Sequence, residues 1–160
     1  MDLQLTSAKV IVTAGASGIG LKITERLLAE GASVYICDID VAALEAAKEK
    51  NPSLMTGVCD VSKRDSVANM VEQAVQGLGG LDCLINNAGI AGPTGAFHEI
   101  DPNDWDRSIE VCLTGQYNCA LIVVDHLKKS NNSSIVNLST AAGRYGFKTR
   151  APDLPHKTGG

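Results

Sequence analysis

The sequence has no run of lysine and arginine long enough to form a basic surface, and its formal net charge is −4. These two features argue against a nucleic-acid-binding surface. The sequence also has no apolar stretch of membrane-spanning length and no basic segment followed by an apolar leader. We therefore expect a protein that contacts neither nucleic acid nor membrane and that lies in the cytoplasm.

The cysteines form no motif for a metal or a disulfide framework. There are five, an odd number, without a C-x-x-C pair, and the three histidines are scattered along the chain. A metal site needs Cys and His ligands clustered at short spacing. We therefore expect no bound metal, and thiols that pack as small apolar side chains in a reducing compartment.

A strand, a glycine-rich turn and a helix follow one another directly near the N-terminus. Residues 9–12 form a short apolar run that is rich in β-branched residues, which predicts a strand buried on both faces, and residues 19–30 have a helical pattern. Gly15, Gly18 and Gly20 lie in and just after the turn between them. Backbone amides and the positive end of a helix dipole meet in such a turn, so it predicts a pyrophosphate site. The alternative is a tight turn without a ligand.

Strands and helices alternate along the rest of this single 160-residue domain. The patterns predict strands at residues 33–37, 54–59, 81–86 and 133–139 and a helix at 41–50. Two more helices are predicted, from Ser62 as N-cap to about residue 76 and from Asp101 as N-cap to about residue 129. Short loops between alternating elements imply right-handed βαβ crossovers. The predicted fold class is α/β, a Rossmann-like doubly wound parallel sheet in three α/β/α layers.

Asp38 follows the second predicted strand, at the place where dinucleotide folds carry the acid that binds the adenosine ribose. A carboxylate there accepts hydrogen bonds from the two ribose hydroxyls and repels a 2′-phosphate. Ser17 and Ile39 nearby are neutral, so the sequence favours NAD, with NADP less likely to bind. The alternative is that Asp38 or Asp40 merely caps the next helix.

Four segments resemble motifs of the short-chain dehydrogenase/reductase family, and the resemblance runs from residue 8 to about 152. Residues 13–20, TAGASGIG, are similar to the family's T-G-x-x-x-G-x-G loop, with Ala14 in place of the first glycine. Because a Cβ favours negative φ, we expect a negative φ at Ala14. Asp38 ends the second strand, residues 60–61 follow the third at the family's adenine contact, and residues 86–89 match its N-N-A-G motif.

The resemblance implies an oxidoreductase that transfers a hydride between NAD and a small alcohol or carbonyl substrate. It also leaves a homo-oligomer open, since the helix after Asp101 is part of the subunit interface in the family. The residues that it implies for cofactor binding are Gly15, Ser17, Gly18, Ile19, Gly20, Asp38, Ile39, Asp60, Val61, Asn87, Ala88, Gly89 and Lys157.

The family's catalytic residues are only partly present. Its enzymes use a Tyr that exchanges a proton with the substrate, a Lys that depresses the Tyr pKa, a Ser that orients the carbonyl and an Asn that anchors a water relay. The aligned positions here are Asp153, Lys157, Thr140 and Cys112. An aspartate beside a lysine is expected to be ionised and so to lack a proton to donate, and a thiol hydrogen-bonds weakly. We therefore expect impaired turnover or none.

Residues 1–152 are accordingly predicted to be an NAD(P)-binding Rossmann-like domain that is truncated after the fifth strand. Residues 153–160 are predicted to be a tail outside the family's pattern. Three functions remain open at this point. They are an NAD-dependent oxidoreductase with impaired turnover, a non-catalytic dinucleotide-binding pseudoenzyme or gene fragment, and an unliganded remnant that aggregates.

Overall fold

The computed structural model describes residues 3 and 5–140, in which strands and helices alternate. A 3₁₀ turn lies at Phe97–Glu99, and a π-helical turn at Glu110–Thr114 joins the last two helices. The elements in chain order are β1 (Lys9–Thr13), α1 (Gly18–Ala29), β2 (Ser33–Asp38), α2 (Val41–Lys50), β3 (Met55–Val58), α3 (Arg64–Leu78), β4 (Cys83–Asn86), α4 (Pro102–Ile109), α5 (Gly115–Leu127) and β5 (Ser134–Asn137).

The five described strands form one parallel sheet in the order β3-β2-β1-β4-β5. Val12 of β1 pairs with Ile36 of β2 on one side and with Ile85 of β4 on the other. The strand order therefore reverses beside β1, and the helices that follow β1 and β4 lie on opposite faces of the sheet. In open α/β sheets this point is where a crevice for ligands forms. The predicted doubly wound parallel fold is confirmed.

Helices cover both faces of the sheet and enclose two apolar cores. α1 and α2 pack on one face, and α3 and α5 pack on the other. No helix within residues 3 and 5–140 combines the length and apolar character that a bilayer crossing requires. The buried strand residues alternate between the cores, with Val10, Val12, Val34, Ile36 and Ile85 facing α1 and α2, and Ile11, Tyr35, Cys37 and Leu84 facing α3 and α5.

Two of the predicted helix starts are confirmed and one is wrong. The Asp40 carboxylate accepts a hydrogen bond from the Ala43 amide (3.0 Å), and the Asp101 carboxylate accepts one from the Asn103 amide (2.8 Å). Ser62 is not an N-cap, because the N-cap residue of α3 is Lys63. The Ser62 hydroxyl instead donates to Asp60 Oδ1 at 2.7 Å, so it fixes a carboxylate rather than a helix end.

The long helix predicted from Asp101 to about residue 129 is interrupted. α4 ends at Ile109, the π-helical turn follows, and α5 ends at Leu127. A π turn inserts one extra residue into a helix and is frequent at functional sites. Here it contains the buried Cys112, which lies beside the crevice.

β5 is shorter than predicted and lies at one edge of the described sheet. It pairs with β4 through four residues, from Ser134 opposite Cys83 to Asn137 opposite Asn86. All four of its residues are exposed, including Ile135 and Val136.

Candidate cofactor-binding site

The turn between β1 and α1 leaves backbone amides at the start of a helix without helical partners. Ser17, the N-cap of α1, has extended backbone and makes no side-chain capping bond. The Leu21 amide donates to Ser17 O (3.0 Å), so the amides of Gly18, Ile19 and Gly20 precede that bond. Such amides, with the helix dipole behind them, form an anion site. Gly18 has φ +52°, and a Cβ there would meet open space.

Gly15 and Gly20 are required by packing within the protein. A Cβ on Gly15 would lie 2.7 Å from the Ile36 side chain. A Cβ on Gly20 would lie 2.2 Å from Ala14 O and 2.5 Å from Asn87 Nδ2. These two glycines therefore let the turn approach β2 and the loop after β4, whereas Gly18 faces the open side of the turn.

Ala14 has φ +48°, so the expectation of a negative φ is wrong. Hydrogen bonds to β2 and to the loop after β4 hold the residue in the left-handed region. The next amide, Gly15 N–H, donates to Cys37 O (3.1 Å), and Ala14 O accepts from Asn87 Nδ2 (3.0 Å). A left-handed residue other than glycine costs about 1–2 kcal/mol, and the surrounding bonds offset that cost here.

The Thr13 hydroxyl joins the end of β1 to the loop after β4. It is buried, accepts hydrogen bonds from the Asn87 amide (3.0 Å) and the Ala88 amide (2.9 Å), and donates to Ile85 O (3.4 Å). Asn87 Nδ2 donates to Thr13 O (3.0 Å) in return. Thr13 was not among the predicted site residues, although its place before the glycine turn is a signal for this role.

Asp38 lies at the end of β2 and faces the same crevice as the start of α1. Its carboxylate accepts from the Ala16 amide (3.3 Å) and from the Asp40 amide (3.2 Å). Capping of α2 is performed by Asp40, so the alternative role proposed from the sequence applies to that residue. Ile39, next to Asp38, is 62% exposed.

Asp60 and Val61 line the crevice after β3, and Arg107 of α4 joins them. Arg107 Nη1 donates to the Ser62 hydroxyl (2.8 Å), and Arg107 Nη2 lies 3.4 Å from Asp60 Oδ2. Burial alone would raise the pKa of the Asp60 carboxyl, but hydrogen bonds from Ser62 and the charge of Arg107 together lower this pKa below its ordinary 3.8. No sequence motif marks Arg107, and sequence reasoning missed it.

Two adjoining cavities extend along the crevice. The β2-side cavity, of about 220 Å³, is lined by residues that include Asp38, Ile39, Asp60, Val61 and Arg107. The β4-side cavity, of about 480 Å³, is lined by residues that include Gly18, Ile19, Asn87, Cys112 and Thr140. Both share Ala14, Ser17, Ala88, Gly89 and Ile90, so the glycine turn and the loop after β4 lie between them.

The predicted catalytic residues are only partly within the described chain. The buried Cys112 thiol accepts from the Ile90 amide (3.2 Å) and donates to Ile90 O (3.4 Å), which ties the π turn to the loop after β4. Thr140 lines the β4-side cavity with Cys112. Asp153 and Lys157 lie outside the described residues.

No two of the five cysteines, all of which lie in the part of the chain that the structure describes, form a disulfide with each other. Cys37 and Cys59 lie side by side under the crevice. A hydrogen bond with Cys59 raises the pKa of the fully buried Cys37 thiol, and burial adds to the effect. The same hydrogen bond lowers the pKa of Cys59, which lines the β2-side cavity. Among the residues that the structure describes, no group of three His, Cys, Asp or Glu side chains could hold a metal ion.

The sequence is similar to known proteins over most of its length. The profile of the short chain dehydrogenases matches residues 8–152. L-fucose dehydrogenase of Bos taurus is 33% identical over 157 residues, 98% of this chain and 58% of that protein. Cis-4-hydroxycyclohexanecarboxylate dehydrogenase of Sinomonas cyclohexanicum is 39% identical over 140 residues, 85% of this chain and 56% of that protein.

A solved structure has the same architecture. The crystal structure of NAD⁺-bound xylitol dehydrogenase superposes with a TM-score of 0.91 at 28% identity, over 97% of this chain and 61% of that one. The chain thus spans less than two thirds of the length of the relatives that it matches. With the glycine turn, the acid after β2 and the loop after β4 around one crevice, this chain belongs to the short-chain dehydrogenase/reductase family.

Proposed function

We propose that the chain binds NAD along the two cavities and that it does so as the dinucleotide-binding part of a short-chain oxidoreductase. The observation that carries the proposal is that hydrogen-bond donors and a hydrogen-bond acceptor line the same crevice. Helix-start amides of Gly18 and Ile19 and the Asp38 carboxylate line adjoining parts of one crevice. Amides suit a pyrophosphate, and a carboxylate suits a pair of ribose hydroxyls.

The residues present fit such a cofactor. Gly18 leaves open space above the turn, so that a phosphate can approach the backbone. Asp38 would accept from the ribose, and Ile39 and Val61 offer apolar surface to a base in the β2-side cavity. When bound, NAD would accept a hydride from a substrate. The residues of this chain would bind the cofactor, orient it and exclude water.

Preference for NAD over NADP follows from the charge of Asp38. Besides the Arg107 guanidinium, which lies against Asp60 and Ser62, the described residues that line the β2-side cavity carry only the two carboxylates. A 2′-phosphate placed beside Asp38 would meet a like charge, which costs several kcal/mol where water is excluded.

Titration of the purified chain with NADH and NADPH, followed by NADH fluorescence or calorimetry, tests the proposal. We expect NADH to bind at least about tenfold more tightly than NADPH. Asp38→Asn keeps the shape and the oxygen that faces the Ala16 amide but removes the charge, so the preference should fall to within about threefold. Asp125→Asn, at an exposed ion pair on α5, is the matched control and should leave the ratio unchanged. Absence of NADH binding would refute the proposed function.

We further propose that turnover of an alcohol or carbonyl substrate is impaired. The relatives above are named for L-fucose and for a hydroxycyclohexanecarboxylate, which supports a hydroxyl-bearing small molecule as the substrate class. Thr140 retains a hydroxyl beside the β4-side cavity, but Cys112 and Asp153 replace the amide and the phenol of the family pattern. Because of these two replacements, a non-catalytic dinucleotide-binding protein is the second candidate function.

A panel of secondary alcohols and sugars with saturating NAD tests turnover. The expected result is tight NADH binding without formation of NADH from any alcohol. Robust NADH production by the purified chain would contradict impaired turnover and leave the binding proposal intact.

A further inference from the structure

β3 lies at the edge of the described sheet opposite to β5 and leaves main-chain groups open along its outer side. The Cys59 amide donates to Asp38 O at 3.0 Å. Alternate residues of a parallel strand bond to the same neighbour, so the backbone of Gly57 also faces β2. The amide and carbonyl groups of Thr56 and Val58 therefore face away from the sheet. In the described part of the chain, no strand pairs with that side of β3.

A groove of about 380 Å³, here called the β3 groove, runs between this edge and α2. Val41 and Val58 line it and are 51% and 59% exposed, so apolar surface is uncovered there. Glu45 and Glu49 line it from the next turns of α2, and both are exposed. None of the described residues that line the β3 groove lines either cavity of the crevice. The groove is therefore separate from the proposed cofactor site.

The β3 groove carries an excess of negative charge. Lys48 is the one cation among the described residues that line it, and its ammonium donates to Leu54 O, just before β3. Glu45 and Glu49, one helical turn apart, have no ion pair within the residues that the structure describes. A second copy of this chain, paired through its own β3, would bring two such carboxylate pairs together, and like charges disfavour that association. The charge favours a partner with a basic side chain.

An extended peptide that adds a strand to β3 would use both the open backbone and the charge. In strand addition, main-chain hydrogen bonds provide affinity and alternate side chains provide specificity. α2 joins the end of β2 to the start of β3, so it runs opposite to β3, and its first residue, Val41, lies towards Val58. On an antiparallel peptide, an apolar side chain beside Val58 is followed two residues later by one beside Thr56, towards Glu45 and Glu49. The matching pattern is apolar-x-basic.

We propose that the edge of β3 and the β3 groove form a docking site for an extended segment of a partner protein, with an apolar and a basic residue two positions apart. The segment extends the sheet as an antiparallel strand beside β3. The inference goes beyond the proposed function, because the site shares no lining residue with the crevice and requires no dinucleotide.

Titration of the isotope-labelled chain with the heptapeptide Thr-Thr-Ile-Thr-Lys-Thr-Thr, followed by amide chemical shifts, tests the inference. The amide protons of Thr56 and Val58 should shift downfield, because they gain hydrogen bonds to the peptide. The amides of β5 should not shift. The same peptide with glutamate in place of lysine should bind at least about tenfold more weakly, because it places a like charge beside the two carboxylates.

Two variants test the contributions of the backbone and of the charge. Val58→Pro removes an outward N–H and no hydrogen bond of the sheet, so the fold should persist while the affinity for the lysine peptide falls at least about tenfold. Glu45→Gln removes one carboxylate and should weaken binding of the lysine peptide about threefold, which narrows the difference between the two peptides. Glu72→Gln, at an exposed acid on α3, is the matched control and should leave both affinities unchanged.

The inference is overturned if the shifts are confined to β5 or to the crevice, if the two peptides bind equally, or if Val58→Pro binds as the wild type does. If Val58→Pro does not fold, Glu45→Gln still decides, because it changes an exposed side chain of α2. An unchanged difference between the peptides in that variant contradicts the docking site. Dimerisation of the chain alone that Val58→Pro abolishes would identify a second copy as the occupant and would also contradict it.

Discussion

Replacing Thr13 by valine tests whether one hydroxyl holds the two sides of the crevice together. Thr13 is 1% exposed. Its hydroxyl accepts hydrogen bonds from the Asn87 and Ala88 amides and donates one to Ile85 O. Valine fills nearly the same space but leaves two backbone amides without an acceptor. Each lost hydrogen bond costs about 1 kcal/mol net. The two amides are only half-buried, so the desolvation penalty of leaving them without an acceptor stays small. We expect Thr13→Val to lower the free energy of unfolding by about 2–3 kcal/mol.

Thr13→Ser is the matched control, since it keeps the hydroxyl and removes a methyl group. A methyl group lost from a buried site costs about 1 kcal/mol, so serine should be the milder change. Urea denaturation measures both free energies, and amide hydrogen exchange reports Asn87 and Ala88 directly. Their exchange should accelerate in the valine variant before the core amides of β1 do. If serine destabilises the protein as much as valine, packing of the methyl group dominates and the hydroxyl argument is refuted.

Two further predictions concern Ala14 and Asp60. Ala14→Gly should raise the free energy of unfolding by up to about 1 kcal/mol, because relief at φ +48° exceeds the added chain entropy. Ala16→Gly, at a buried residue without a positive φ, is the control and should lower the free energy of unfolding. If urea denaturation shows that both glycine variants are destabilised, the strain argument is contradicted. Asp60 has a lowered pKa, so its contribution is present above about pH 4 and is lost as the pH falls through the folded pKa. The stability gap between wild type and Asp60→Asn should therefore narrow from pH 7 to pH 3, and a constant gap would disprove the assignment.

The architecture could be predicted from the sequence because local patterns and long-range packing agree in it. Apolar runs rich in β-branched residues form strands. Asp40 and Asp101 cap the helices that their positions in the sequence predict. Parallel pairing follows from strand–helix alternation with short loops, whereas the place of the crevice beside β1 depends on the strand order, which the alternation does not fix. The position of Asp38 at the crevice could be predicted for the same reason, since it depends only on where β2 ends.

The parts that could not be predicted depend on partners that are distant in sequence. Ala14 adopts a positive φ because of bonds to residues on β2 and after β4, which local propensity does not include. Serine is a common N-cap residue, yet the Ser62 hydroxyl donates to Asp60 and accepts from Arg107. The π turn around Cys112 has no compositional signal, since an extra residue in a helix leaves the apolar pattern almost intact.

The close contact of Gly20 with Ala14 and Asn87 has a consequence for the energetics of ligand binding. The glycine turn and the loop after β4, which lie between the two cavities, are joined by hydrogen bonds of main-chain and side-chain amide groups and form one preorganised body. A ligand that spans both cavities therefore immobilises little of the protein when it binds. Two separate fragments, one in each cavity, should then bind with affinities that do not depend on each other.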